Sequence, residues 1–289
     1  MRAIAPLLVC VLAACSSAPP PSPPPTDAQM QQAARAGQAD LTLGRPHEAV
    51  DQYRRALQRA EMRDDLSEIV DYGYDLAIAL LDDNRPEEAL KTVRGINAEL
   101  VRRNAQSPPS FTLIEAVALY RIGSRTDADR LAASIEYSSE PDIATRACFL
   151  RGLIADDRSD LAGLEEASRC LAAAGSAGST DSQELSARIS LERGDAKAAE
   201  TAARDVADRR RESRDYRGMA RALALAGAAA SKSGSVAAAA NYYLRAGRSA
   251  GAQGDVEHAR QWIAAALSLS HDPELRSEAQ RVLADLDKR

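Results

Sequence analysis

The chain has 289 residues, a formal net charge of −5 and 4% aromatic residues within a hydrophobic content of 45%. Charges of both signs are mixed without a basic excess, so nucleic acid is not expected as a partner. Scarce aromatic side chains argue against pleated sheets, while frequent Ala, Leu, Arg and Glu favour helices packed in thin, closely spaced layers.

Arg2, followed by the apolar run of residues 4–14, reads as a secretory signal, because the run is far shorter than the ~20 residues a spanning helix needs. It ends in Leu12-Ala13-Ala14-Cys15. That order resembles the bacterial lipoprotein signal. The resemblance implies that residues 1–15 are the signal, with Cys15 becoming the first mature residue and carrying palmitate-type acyl chains that anchor the chain to a membrane. Ser16, rather than Asp, follows it, which by the same resemblance points to the outer membrane, facing the periplasm. Residues 16–26 contain Pro19, Pro20, Pro21, Pro23, Pro24 and Pro25 and read as an extended, flexible tether.

From about residue 27 a pattern repeats. Gly44, Asn84, Gly123, Gly194, Gly234 and Gly254 are turn residues, and five positions after each stands an alanine: Ala49, Ala89, Ala128, Ala199, Ala239 and Ala259. Nine positions after stand Tyr53, Val93, Ala132, Ala203, Tyr243 and Ile263, and twelve after stand Ala56, Ile96, Ile135, Val206, Ala246 and Ala266. Seven positions before stand Gly37, Ala77, Ala116, Ala187, Gly227 and Gly247. Spacings of three and four put such residues on one helix face. Small residues then mark where two helices of a hairpin approach closely, and the residue nine on is expected to fill the gap between neighbouring hairpins. The glycine or asparagine supplies the left-handed residue that ends the first helix. No heptads are sustained, which excludes a coiled coil.

This pattern resembles the tetratricopeptide repeat, a helix–turn–helix unit of about 34 residues. The closest segments are ARAGQADLTLGRPHEAVDQYRRAL, RPEEAL and GSVAAAANYYLRAG, and the resemblance covers about residues 28–270. It implies an all-α, right-handed α-solenoid of about six to seven helical hairpins, with a capping helix near residues 273–288. The turns are spaced by 40, 39, 71, 40 and 20 residues, which departs from the family unit. These intervals predict longer loops, a degenerate unit near residues 141–174 turning at Ser159, and a half-repeat at Gly254. The helix near residues 237–252 then pairs with both neighbours. Residues 175–182, GSAGSTDS, are flexible in composition. They either divide the array into arcs 27–174 and 180–289 or form a plain loop.

Chemical signals are sparse. Cys148 and Cys170 fall about 11 residues either side of Ser159, and either a disulfide or two separate buried thiols agrees with that spacing. His47, His258 and His271 stand apart from the cysteines, and no zinc spacing, phosphate loop or nucleophile elbow occurs. No metal, cofactor or catalytic residue is assigned, and an enzyme is not expected. The arginines of residues 204–217 alternate with acids and read as a solvated helix end. In the resembled family the first helices line a concave groove that holds a protein or peptide. Carried over, the groove presents Tyr74, Ile78, Leu113, Val117, Tyr120 and Arg188. Its apolar members form either a docking stripe or core between repeats. The expected function is a lipid-anchored periplasmic interaction scaffold or adaptor assisting an envelope assembly or secretion machine. The alternative is a regulator or enzyme of peptidoglycan metabolism.

Overall fold

The computed structural model describes residues 27–176 and 178–288. The signal, Cys15 and the tether lie outside them. The described residues form fourteen helices and no strand, arranged as seven consecutive hairpins. These are α1 (Ala28–Thr42) with α2 (Pro46–Met62), α3 (Leu66–Asp82) with α4 (Pro86–Arg102), and α5 (Pro109–Arg121) with α6 (Arg125–Ile135). Next come α7 (Pro141–Asp157) with α8 (Leu161–Ala173), and α9 (Thr180–Glu192) with α10 (Ala196–Glu212). Last are α11 (Tyr216–Lys232) with α12 (Val236–Ala252), and α13 (Val256–Leu269) with α14 (Pro273–Leu286).

Local chemistry sets the helix boundaries. Asp27, Asp65, Asp160, Asp195, Asp215 and Asp255 each accept a hydrogen bond from a first-turn backbone N–H. Pro46, Pro86, Pro109, Pro141 and Pro273 open five other helices, where the missing N–H costs nothing. Left-handed residues end eleven of the fourteen described helices. Six lie inside hairpins, at Gly44, Asn84, Gly123, Ser159, Gly194 and Gly234, and Asp64, Asn104, Gly175, Arg214 and Gly254 repeat the device between hairpins. Gly254 is therefore a junction between the sixth and seventh hairpins and not half a repeat. Helix α12 packs on α11 and α13, as the second helix of any inner hairpin must.

The long intervals go into helices and not into loops. Seven helices reach 17 residues, and the connections around the left-handed residues stay short. Runs of good helix formers propagate until a residue tolerant of positive φ stops them.

The small residues seven before each turn sit where expected, but their partners differ from the expectation. Tyr53 lies across its own hairpin and packs directly on Gly37, where an added Cβ would meet ring carbon Cε2 at 2.9 Å. Gly227 faces the Tyr243 ring at 3.1 Å in the same way, and one turn before Ala77 Gly73 faces Ile96 at 2.8 Å. At Gly247 the contact, with Ile263 at 2.7 Å, runs between hairpins. Where the first position is alanine, the residue at the matching offset after the turn is smaller than tyrosine, Val93 for Ala77 and Ala132 for Ala116, all fully buried. The degenerate unit is a complete hairpin turning at Ser159, whose φ is 52°. It fits the pattern poorly because Gly152 is filled by Leu185 of the next hairpin, 2.6 Å from an added Cβ. That insertion carries the stacking of α7, α8 and α9 past residues 175–179.

Cys148 and Cys170 are joined by a disulfide linking α7 to α8, with Cα atoms 5.7 Å apart and a sequence separation of 22. A loop of that size stabilises by about 3 kcal/mol in the chain-entropy model. Cys148→Ala/Cys170→Ala should therefore lower the thermal midpoint by several degrees, and dithiothreitol should do the same to the wild type and nothing to the variant. An unchanged midpoint in both would show that the bridge contributes nothing.

Candidate interaction surfaces

The first helices α3, α5, α7, α9 and α11 pack successively on one another and line the inner face. On the first part of this face Tyr74, Ile78, Val117 and Tyr120 are half-buried and lie together against the N-terminal core. Leu113 is buried beneath them, and the Tyr74 ring stands 6.1 Å from that of Phe111. Burial pushes the Tyr120 hydroxyl up to about 12. The structure thus brings five of the six sequence-derived groove residues together.

Arg188, whose charge acts on the Tyr120 hydroxyl, is 7% exposed and lies inside an ion cluster centred on the fully buried Glu184. Glu184 accepts hydrogen bonds from Arg188 Nη2 at 3.0 Å, from Arg210 Nη2 at 2.6 Å, and from Arg221 Nε and Nη2 at 2.6 and 3.1 Å. Arg188 also binds Asp156, and Arg210 reaches Asp181 at 2.7 Å and Asp215 at 2.6 Å. The Phe149 ring lies beneath two of these guanidinium groups, 5.2 Å from Arg221 and 5.5 Å from Arg210. Burial alone would raise the Glu184 carboxyl, but Arg221, Arg188 and Arg210 outweigh it and hold the group well below the usual carboxylate range. Arg188 is thus held by the protein's own carboxylates.

The arginine-rich stretch is only in part the solvated helix end that its composition suggests. Arg204, Arg209, Arg211 and Arg214 are exposed, but Arg210 is buried in this cluster. Its burial was legible in the spacing, since Ala199, Ala203, Val206 and Arg210 continue one helix face at steps of four, three and four.

Arg217 does something different again. It donates from Nη1 to the Asn84 side-chain oxygen at 3.3 Å and from Nη2 to the Asp82 carbonyl at 3.4 Å. The Asn84 amide in turn donates to the Gly254 carbonyl at 3.0 Å. The turn of the second hairpin therefore touches the start of α11 and the α12–α13 junction, and the array curls until one edge of its inner face meets itself. Burial raises the Asp82 carboxyl against the pull of Arg121 and Arg217, and burial together with Arg217 draws Arg121 down to about 10. His258 is raised by its hydrogen bond to Asp255. Sequence offered no signal for contacts across more than 130 residues.

The outer face carries open clefts, which the family resemblance did not suggest. Except at α12 and α14, successive second helices pack on the first helices between them rather than on one another. This leaves troughs of about 610 Å³ between α2 and α4, about 560 Å³ between α6 and α8, and about 480 Å³ between α10 and α12. Among the described residues no group of three His, Cys, Asp or Glu is placed to hold a metal ion. No described helix is long and apolar enough to cross a membrane.

No family model matches the sequence, and no curated protein is similar to it. Solved structures do match. A tetratricopeptide repeat protein from Parabacteroides merdae ATCC 43184 aligns with TM-score 0.50 and 16% identity, covering 90% of this chain and 99% of that one. The TPR2AB domain of yeast Sti1, solved as a complex with pHSP90, aligns with TM-score 0.34 and 13% identity over 87% and 98% of the two chains. Seven stacked helical hairpins with small residues at the helix crossings, aligning from end to end with the first of these proteins, show that the chain has the tetratricopeptide-repeat fold.

Proposed function

We propose that this chain is a lipid-anchored protein-interaction scaffold of the bacterial envelope that holds a protein or peptide partner for an assembly or secretion machine in the periplasm. The observation that carries the reading is the half-buried stripe of Tyr74, Ile78, Val117 and Tyr120 on the inner face of a repeat array. Aromatic and aliphatic groups held rigidly at partial exposure are the usual anchors of a bound segment. The membrane assignment rests on Leu12-Ala13-Ala14-Cys15 and the proline tether. A disulfide between α7 and α8 agrees with an oxidising compartment.

Photo-crosslinking from position 74 or 117 of the full chain in intact envelopes tests the scaffold. One reproducible partner is expected, and Tyr120→Ser with Ile78→Ser should abolish its capture. A smear of unrelated proteins, or capture indifferent to those changes, would sink the reading. Cys15→Ser tests the anchor separately, because it should release the chain to the soluble periplasmic fraction.

A role in peptidoglycan metabolism has one observation on its side. Burial, with Asp71 nearby, raises the Asp75 carboxyl to about 6, a range useful to a general acid. Asp75 lines none of the clefts described above, which favours the scaffold. Turnover of purified sacculi lost in Asp75→Asn would reverse that preference.

A further inference from the structure

The outer trough over α11 differs from the other outer clefts in its charge. The α2–α4 trough balances four basic side chains with four acidic ones, and the α6–α8 trough balances two with two. Between α10 and α12, two adjoining clefts of about 360 and 480 Å³ share Ala207, Asp208, Leu223 and Arg245 and form one trough. Its walls carry Arg204, Arg211, Arg245 and Arg248 against Asp208 alone. Arg211 is paired with Asp208 at 3.1 Å, and Arg248 with Glu278 at 2.6 Å. Arg204 on α10 and Arg245 on α12 have no carboxylate within ion-pair distance among the described residues, although Arg245 stacks 6.0 Å from the Tyr242 ring centroid. The floor between the walls is apolar, made by Ala207 and Leu223, both 4% exposed, and Met219.

We propose that this trough is a second docking surface, on the opposite side from the inner stripe, for an acidic amphipathic segment of a partner protein. Its aliphatic side chains would lie on Leu223 and Met219, and its carboxylates would meet Arg204 and Arg245. Guanidinium groups recognise carboxylates with two parallel hydrogen bonds, and two such groups on facing walls set the register of one segment between them. The apolar floor favours a protein segment over an anionic membrane, since a flat lipid headgroup layer does not enter a cleft between two helices. The inference rests on the scaffold reading, but it concerns a different face.

The test uses the full chain in detergent and a fluorescein-labelled 14-residue peptide with leucine and glutamate at helical spacing. A second peptide carries lysine for every glutamate. The glutamate peptide should bind, and its affinity should fall as salt rises. Arg204→Glu/Arg245→Glu should weaken it by about tenfold or more. Arg54→Glu/Lys91→Glu, in the balanced α2–α4 trough, should leave it unchanged. All four are surface residues, so equal helicity and equal thermal midpoints check folding. No binding, equal binding of the lysine peptide, or equal loss in the control variant would each overturn the proposal. Binding to phosphatidylglycerol vesicles that is lost in Arg204→Glu/Arg245→Glu, with no peptide binding, would assign the trough to the membrane instead. If position 74 still captures a partner in envelopes while the glutamate peptide fails to bind, the trough fails and the scaffold stands.

Discussion

Glu184→Ala should destabilise the protein by about 3–5 kcal/mol, the usual result of removing one member of a buried ion cluster, because Arg188 and Arg210 stay in place without their shared anion. Glu184→Gln should lose nearly as much, since an amide cannot accept from three guanidinium groups as a carboxylate does. Repeat arrays unfold partly by segment, so the loss should be local. Amide hydrogen exchange should accelerate in α9, α10 and α11, while α1–α4 keep their protection. Replacing Arg54, whose contact with Glu88 leaves both side chains 48% exposed, should do very little. The acid dependence has a definite sign. Glu184 is held below its unfolded value, so its contribution is complete above about pH 4.5 and is lost only as pH falls through the depressed folded value. The gap between wild type and Glu184→Ala should therefore stay constant from pH 8 to pH 5 and close only in strong acid. Equal stability of the two proteins at pH 7, or uniform loss of protection along the chain, would contradict a central role for Glu184.

What sequence could reveal here followed from locality. Turn residues, caps and small residues act within one hairpin, so their spacing is printed directly along the chain, and the degenerate unit at Ser159 was found from the 71-residue interval between its neighbouring turns. The Gly254 half-repeat misled because junctions between hairpins use the same left-handed stop as turns inside them, with Asp64, Asn104 and Arg214 lacking the glycine that would have marked them. The inner stripe on α3 and α5 was legible for the same local reason, as two neighbouring helices of known orientation. The Glu184 cluster joins α7, α9, α10 and α11, and the Asn84–Arg217 contact joins the second hairpin to the sixth. Neither has a fixed offset. Composition even pointed the wrong way, because an arginine beside several acids resembles solvated helix surface until the helix face on which it lies is known.

The packing rule can be tested by transplanting one natural pair onto another. Alanine at position 37 gains about 1 kcal/mol of helix propensity over glycine. Against that gain, its Cβ would stand 2.9 Å from the ring of Tyr53, which is 1% exposed and has little room to move. Overpacking of this kind costs about 1–3 kcal/mol, so Gly37→Ala should be neutral to destabilising. Tyr53→Val alone empties the space over Gly37 and should cost about 3 kcal/mol through cavity formation. The double variant reproduces the Ala77–Val93 pair of the second hairpin, where both residues are fully buried. Its loss should be smaller than the sum of the singles by about 1–2 kcal/mol, a coupling that denaturant unfolding resolves. The coupling should be local, restoring protection in α1 before anywhere else. If the two losses simply add, the small residues before each turn are not matched in size to the residues after it, and the recurring offsets need another cause. If they couple, the 4% aromatic content becomes more intelligible: a ring can enter a hairpin only where glycine stands opposite, and alanine closes half of the six repeat positions to it.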